Sequence, residues 1–276
     1  MWTLTGFADE ISPELDEQLN TLADESMRYM ELRSVWNKNV LDLTDEELEK
    51  VKSAASERGI KISSIGSPIG KIPITEAFEP HLERFRRALH AARVMEAPYV
   101  RIFSFFIPEG QDPASYRDEV LERMDAFAGE AEDSGLTLLH ENEKHIYGDV
   151  PGRCLDILTQ IDSPALRAAW DAANFVQCGV SRPYTEGYGS LRPFIEYVHV
   201  KDALAGSGQV VPAGEGDGEL RETISALRDS GFEGFFSLEP HLASSGTYSG
   251  FSGPDLFRKA AGAFKALLRQ QEIEWV

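Results

Sequence analysis

Short apolar, β-branched runs alternate along this chain with longer stretches in which apolar side chains recur every three or four positions, the period of a helix with one buried face. Eight short runs stand out: TLTGFA (3–8), RYMELR (28–33), KISSIG (61–66), YVRIFSF (99–105), LTLLHE (136–141), ALRAAWD (165–171), IEYVHV (195–200) and GFFSLE (234–239). Strand then helix, repeated, places strands side by side in a parallel sheet, and eight such units make an α/β (β/α)8 TIM barrel. No repeat, low-complexity tract or Pro/Gly/Ser linker divides the chain, so residues 1–276 are expected to form one domain.

Helix boundaries are marked by local chemistry. Ser12-Pro13 offers an N-cap followed by proline in the first turn, and Thr44 with Glu47 forms a capping box before a helix that Gly59 ends. Further helices are expected near 79–95, 113–133, 151–161, 218–230 and 254–271. The sixth, after TEGYGSLRP, reads as short.

Length suits this fold, since such barrels run to about 250 residues. Apolar residues at 42% and charged residues at 26% are those of an ordinary globular chain. The formal charge of −19, from 46 acidic and 27 basic side chains, argues against partners bound through phosphates, such as nucleic acid. No basic segment followed by an apolar run opens the chain and no membrane-length apolar run occurs, so no membrane partner is expected and the cytoplasm is the expected compartment. Cys154 and Cys178, the two cysteines, form neither a disulfide framework nor a CxxC knuckle. Trp2 and Trp275 are apolar anchors for a homo-oligomer contact or for packing on their own barrel.

The chemistry lies at strand ends, where barrel active sites are built. Strands five to eight end in LTLLHE, LRAAWD, EYVH and FFSLE, so that Glu141, Asp171, His199 and Glu239 arrive at one mouth. Three carboxylates and one imidazole suit a hard or borderline divalent ion, Mn2+ first, with Co2+, Mg2+ and Zn2+ as alternatives. Strand alternation puts Glu143 and Lys201 on the same faces as Glu141 and His199, within reach of a substrate hydroxyl or oxyanion, or in plain surface ion pairs. His241 and His145 fall in mouth loops. Arg33, Trp36, Ser67 and the Phe103–Phe106 segment line the other half, while His140 points into the layer between strands and helices. His81 and His90 lie on a helix, away from the site. In the Gly-rich loop GEGDG (214–218), Glu215 and Asp217 oppose phosphate, which favours an unphosphorylated substrate; the plainer reading is a tight turn with Asp217 capping the next helix.

The strand ends HENE (140–143), WDAAN (170–174), HVKD (199–202) and SLEPH (237–241), with GEGDG, resemble the xylose-isomerase-like barrels, a family that includes ketose 3-epimerases, inosose dehydratases, hydroxypyruvate isomerases and endonuclease IV. The resemblance implies the same four metal ligands, with Glu141 and Glu239 as the acid–base pair that moves a proton next to a carbonyl of a keto-sugar or polyol through an enediolate. Two departures stand out. The ketose epimerases carry a His three residues after the strand-six Asp and an Arg six after the strand-seven His, where this chain has Asn174 and Ala205. Substrate contacts must therefore differ, with Asn174 among them and Lys201 in place of the missing Arg. The alternatives are an inosose-type dehydratase, a metal-dependent nuclease and a non-catalytic sugar-binding barrel. The nuclease needs extra His ligands where this chain has Ser67, Ser104 and Asn174.

Overall fold

The computed structural model describes residues 1–243 and 253–276. Eight parallel strands form a barrel: β1 (Thr3–Gly6), β2 (Tyr29–Leu32), β3 (Lys61–Ile65), β4 (Tyr99–Ile102), β5 (Thr137–Glu141), β6 (Leu166–Asp171), β7 (Ile195–Val200) and β8 (Phe235–Leu238). From β2 to β8 each strand pairs with its sequence neighbours, and β8 pairs in turn with β1 from Thr3↔Phe235 to Gly6↔Leu238. The seam between β1 and β2 is joined by a parallel bridge between Phe7 and Glu31.

Outside lie α1 (Leu15–Asp24), α2 (Asp45–Glu57), α3 (Phe78–Met95), α4 (Arg117–Ser134), α5 (Pro151–Ile161), α6 (Ala172–Gln177), α7 (Leu220–Asp229) and α8 (Gly253–Gln270). The Thr44–Glu47 capping box forms as expected, and Gly59 takes φ +66° just past the end of α2. Two boundaries differ from the sequence reading. Ser12 does not cap α1: its Oγ accepts the Glu14 N–H in a local turn, and the helix starts at Leu15. The sixth unit carries no helix after TEGYGSLRP: the Asp171 carboxylate accepts the Asn174 N–H and starts α6 directly at the strand end, and TEGYGSLRP is itself wound into helical turns from Tyr184 to Leu191.

Period-two alternation sorts side chains between two layers. Outward residues such as Leu4, Met30, Val100, Leu138, Val198 and Phe236 are buried beneath the helices. Between α3 and α4, Phe127 meets Phe85 at 4.5 Å and Phe105 at 5.8 Å between ring centroids. Inward residues begin with an aromatic floor, where Tyr197 stacks on Phe235 at 5.6 Å and meets Tyr99 at 5.9 Å. Above it a hydroxyl layer links Thr5, Ser63 and Tyr197 through contacts of 2.9 Å. Charged residues fill the next level, at the C-terminal mouth.

The loops following β3, β4 and β5 are tied by backbone bonds, among them Phe103 N–H to Ile69 O at 2.8 Å and Ile107 N–H to His145 O at 2.8 Å. Gly70, at φ +88°, lies so close that a Cβ would stand 1.9 Å from Phe103 O, which leaves room only for glycine. Below the barrel, Trp2 stacks on Phe236 at 4.1 Å, donates Nε1–H to Phe232 O and forms a bridge with Trp275. Trp2 thus packs on its own barrel. No described helix is long and apolar enough to cross a membrane.

Candidate metal centre and active site

Glu141 ends β5, Asp171 ends β6, His199 lies near the end of β7 and Glu239 follows β8, so four neighbouring strands deliver four inward side chains to one level. All four are buried, and one donor atom from each falls within 4.8 Å of the others. Around an octahedral ion with bonds of about 2.1 Å, opposite donors stand about 4.2 Å apart, so small side-chain adjustments would suffice. His199 Nδ1, 3.2 Å from Glu141 Oε1, makes no hydrogen bond. The residues therefore fit a divalent ion, with hard oxygens and one imidazole as donors.

Cations surround this quartet. Lys201 Nζ lies 2.9 Å from Asp171 Oδ2 and 2.7 Å from Glu239 Oε2. Arg33 reaches Glu239 Oε1 at 2.8 Å while also holding Asp9 and Glu10, and Arg101 reaches Glu141 Oε2 at 3.0 Å. Asp171 Oδ1 is taken by the Asn174 N–H, so Asp171 offers Oδ2 to an ion only by sharing it with Lys201.

The charges follow. Burial pushes the Glu141 carboxyl up, but His199 and Arg101 outweigh it and bring it down to about 2. Burial raises Asp171 to about 6, with Lys201 offsetting only part. Glu239 is also opposed by burial, yet Lys201, His241 and Arg33 hold it well below the usual carboxylate range. Burial would lower the His199 imidazole, but Glu141 and Glu31 on its two sides raise it to about 10.

The remaining candidates separate by position. Asn174 donates Nδ2–H to Glu141 Oε1 at 3.1 Å, and His241 Nε2 lies 2.9 Å from Glu10 Oε1. Glu143 pairs with Lys71 at 3.0 Å, the ion-pair alternative, on the rim. Trp36 is half-buried in the turn after β2 with φ +54°. His145 is exposed. Ser67 does not present its hydroxyl to a substrate: Oγ donates to Arg101 O at 2.5 Å and accepts the Ile69 N–H. Ser104 and Phe105 also leave the mouth lining. The Ser104 hydroxyl, which accepts the Gly148 N–H, sits 3.0 Å from His140 Nε2 between strands and helices, and Phe105 joins the Phe85–Phe127 group. His140 is thus in the layer expected for it.

Residues missed in the sequence are Glu31 and Arg101, both inward on β2 and β4. Glu31 Oε2 stands 3.4 Å from His199 Nε2. The Arg101 guanidinium is anchored by Gly66 O and lies 4.8 Å from the Phe7 ring, which Arg33 also covers at 4.5 Å. Their alternation with Tyr29 and Arg33, and with Tyr99 and Phe103, was the signal that would have found them. Asp202 was also missed. Its carboxylate accepts N–H bonds from Ala203, Gly214, Gly216 and Gly218, and it organises the whole Gly-rich loop. Asp217 instead accepts the Ala205 N–H and does not cap α7.

A sequence model described as the xylose isomerase-like TIM barrel matches residues 19–267. Among solved structures, a D-tagatose 3-epimerase-like protein superposes with a TM-score of 0.76 at 18% identity, over 98% of each chain. The probable 3-DHS dehydratase of Bacillus anthracis gives 0.73 at 19% identity, covering 96% of this chain and 98% of that one. A xylose isomerase-like TIM barrel protein of Mycobacterium smegmatis in complex with magnesium gives 0.67 at 19% identity, over 97% of each chain.

Proposed function

The chain belongs to the xylose isomerase-like TIM barrel family, and from that premise we propose that it is a divalent-metal-dependent isomerase or epimerase acting on an uncharged keto-sugar or polyol. The observation that carries this reading is the convergence of Glu141, Asp171, His199 and Glu239 within 4.8 Å at the barrel mouth. Glu141, Asp171, His199 and Glu239 would hold a divalent ion, which would supply a Lewis acid beside the substrate carbonyl. Glu141 and Glu239 extend from strands three positions apart around the barrel, so a sugar carbon between them faces one carboxylate on each side. One takes the proton and the other returns it. Arg101 and Lys201 keep the two carboxylates oriented, and Lys201 is placed to donate a hydrogen bond to a developing oxyanion. The likeness to an epimerase-like protein and to a magnesium-bound barrel supports the reading.

Charge supports an unphosphorylated substrate. Arg33, Arg101, Lys201 and Lys71 each already face a carboxylate, and residues 244–252 contain no Lys or Arg. The N–H groups of the loop after β7, where many barrels bind phosphate, are taken by Asp202. Among the described residues at the mouth, these cations and this loop are thus already engaged before a phosphate could enter.

The test is deuterium incorporation from D2O into ketoses, inososes and keto-sugars with Mn2+ or Co2+ supplied. Exchange should fall by about 10²–10⁴-fold in Glu141→Gln and Glu239→Gln, with circular dichroism unchanged. Full exchange in either folded variant would remove it from the acid–base pair. The dehydratase likeness makes loss of a β-hydroxyl the rival outcome from the same enediolate; NMR of the product separates the two.

A further inference from the structure

We propose that Glu31 is the positioning residue that fixes the tautomer of His199, so that Nε2 carries the proton and Nδ1 presents its lone pair to the metal. The inference rests on the metal-centre reading above and assigns a role to a side chain outside the ligand quartet.

An imidazole ligates through one nitrogen, and the partner of the other decides which. The two nitrogens of His199 face different neighbours. Nδ1 looks toward Glu141 at 3.2 Å and so into the quartet, while Nε2 looks toward Glu31 Oε2 at 3.4 Å, away from it. The ring packs edge-on against Phe7 and Tyr197, with centroids 5.2 and 5.7 Å away.

Glu31 is fully buried, and neither of its oxygens makes a hydrogen bond. A buried carboxylate costs several kcal/mol unless a donor faces it, and the geometry sets the His199 Nε2–H toward Glu31 with the Tyr197 hydroxyl beside it. The backbone is shaped to aim it. The β2–β3 register shifts between Met30 and Glu31, and Glu31 is also the residue that bridges to Phe7 across the barrel seam. Irregular pairing of this kind redirects a side chain next to a site.

Two measurements test the role on the full-length protein. Mn2+ titration calorimetry should show affinity about 10–100-fold weaker in Glu31→Gln and Glu31→Leu than in the wild type. In protein labelled with ¹⁵N-histidine and loaded with Zn2+, the wild type should show a slowly exchanging Nε2–H for His199. In Glu31→Leu that proton should exchange freely or move to Nδ1. Should Glu31→Leu fail to fold, the near-isosteric Gln variant and the wild-type spectrum still decide. Variants that bind Mn2+ within about twofold of the wild type, or a proton on Nδ1 in the loaded wild type, would overturn the role of Glu31 alone. A wild-type protein that binds no divalent ion overturns the metal-centre reading, and this inference with it.

Discussion

His140 and His199 are both buried, yet their surroundings favour different charge states. His199 lies between two carboxylates that raise it to about 10, whereas burial, offset only in part by Glu141, takes His140 down to about 4 and leaves it neutral beside the Ser104 hydroxyl. For His140 the folded value lies below the unfolded value of 6.5, so its native state resists a proton that the unfolded chain accepts. Its contribution to stability is complete above pH 6.5 and is lost as pH falls toward 4, up to about 3 kcal/mol. Urea unfolding at pH 7 and pH 4.5 should therefore show a smaller difference for His140→Asn than for the wild type; equal differences would count against this origin. The same residues show what a sequence conveys. His140 and the quartet were legible because alternation along a strand fixes which side chains share a face. The turned-away hydroxyls of Ser67 and Ser104 were not, since a loop has no period from which direction can be read.

At the scale of elements, the loop after β7 depends on one side chain. Asp202 gathers four backbone N–H groups, and Cβ atoms added at Gly216 and Gly218 would stand 2.4 and 2.8 Å from its Oδ1, so the glycines are required by its position. Asp202→Ala should cost on the order of 3 kcal/mol in urea unfolding, with Asp202→Asn intermediate, because several N–H groups lose a charged acceptor at once. It should also admit proteolytic nicking between residues 205 and 218, and a loop as resistant as the wild type would show that Asp202 does not hold it. GEGDG was visible in the sequence, but its organiser was not, since Asp202 lies twelve to sixteen residues upstream and only the fold brings them together. The start of α6 was missed for a related reason: Asp171 ends a strand and caps a helix at once, and the sequence marks only one of these roles plainly.

At the scale of the molecule, the barrel was legible because its eight units repeat one pattern, and a closed ring leaves little freedom in how eight parallel strands are ordered. The closure itself carries a consequence for how the chain acquires its form. β1 is joined to β2, its neighbour in sequence, by the bridge at Phe7 and Glu31, while it shares four residue pairs with β8; the Leu4 N–H also bonds Val276 O. β1 thus finds most of its partners far along the sequence, and the entropy of closing so long a loop has to be met before those partners contribute. An open sheet from β2 to β8 can grow neighbour by neighbour, with β1 as the closing stave. In refolding followed by pulsed hydrogen exchange, the amides of Leu4 and Thr5 should gain protection later than those of Leu138 and Leu139 in β5. Simultaneous protection would mean that the ring forms in one step. If β1 does arrive last, it brings Phe7 with it, and the ring that Arg33 and Arg101 flank reaches the mouth only when the barrel shuts. The active centre would then be completed by the final act of folding rather than assembled along the way.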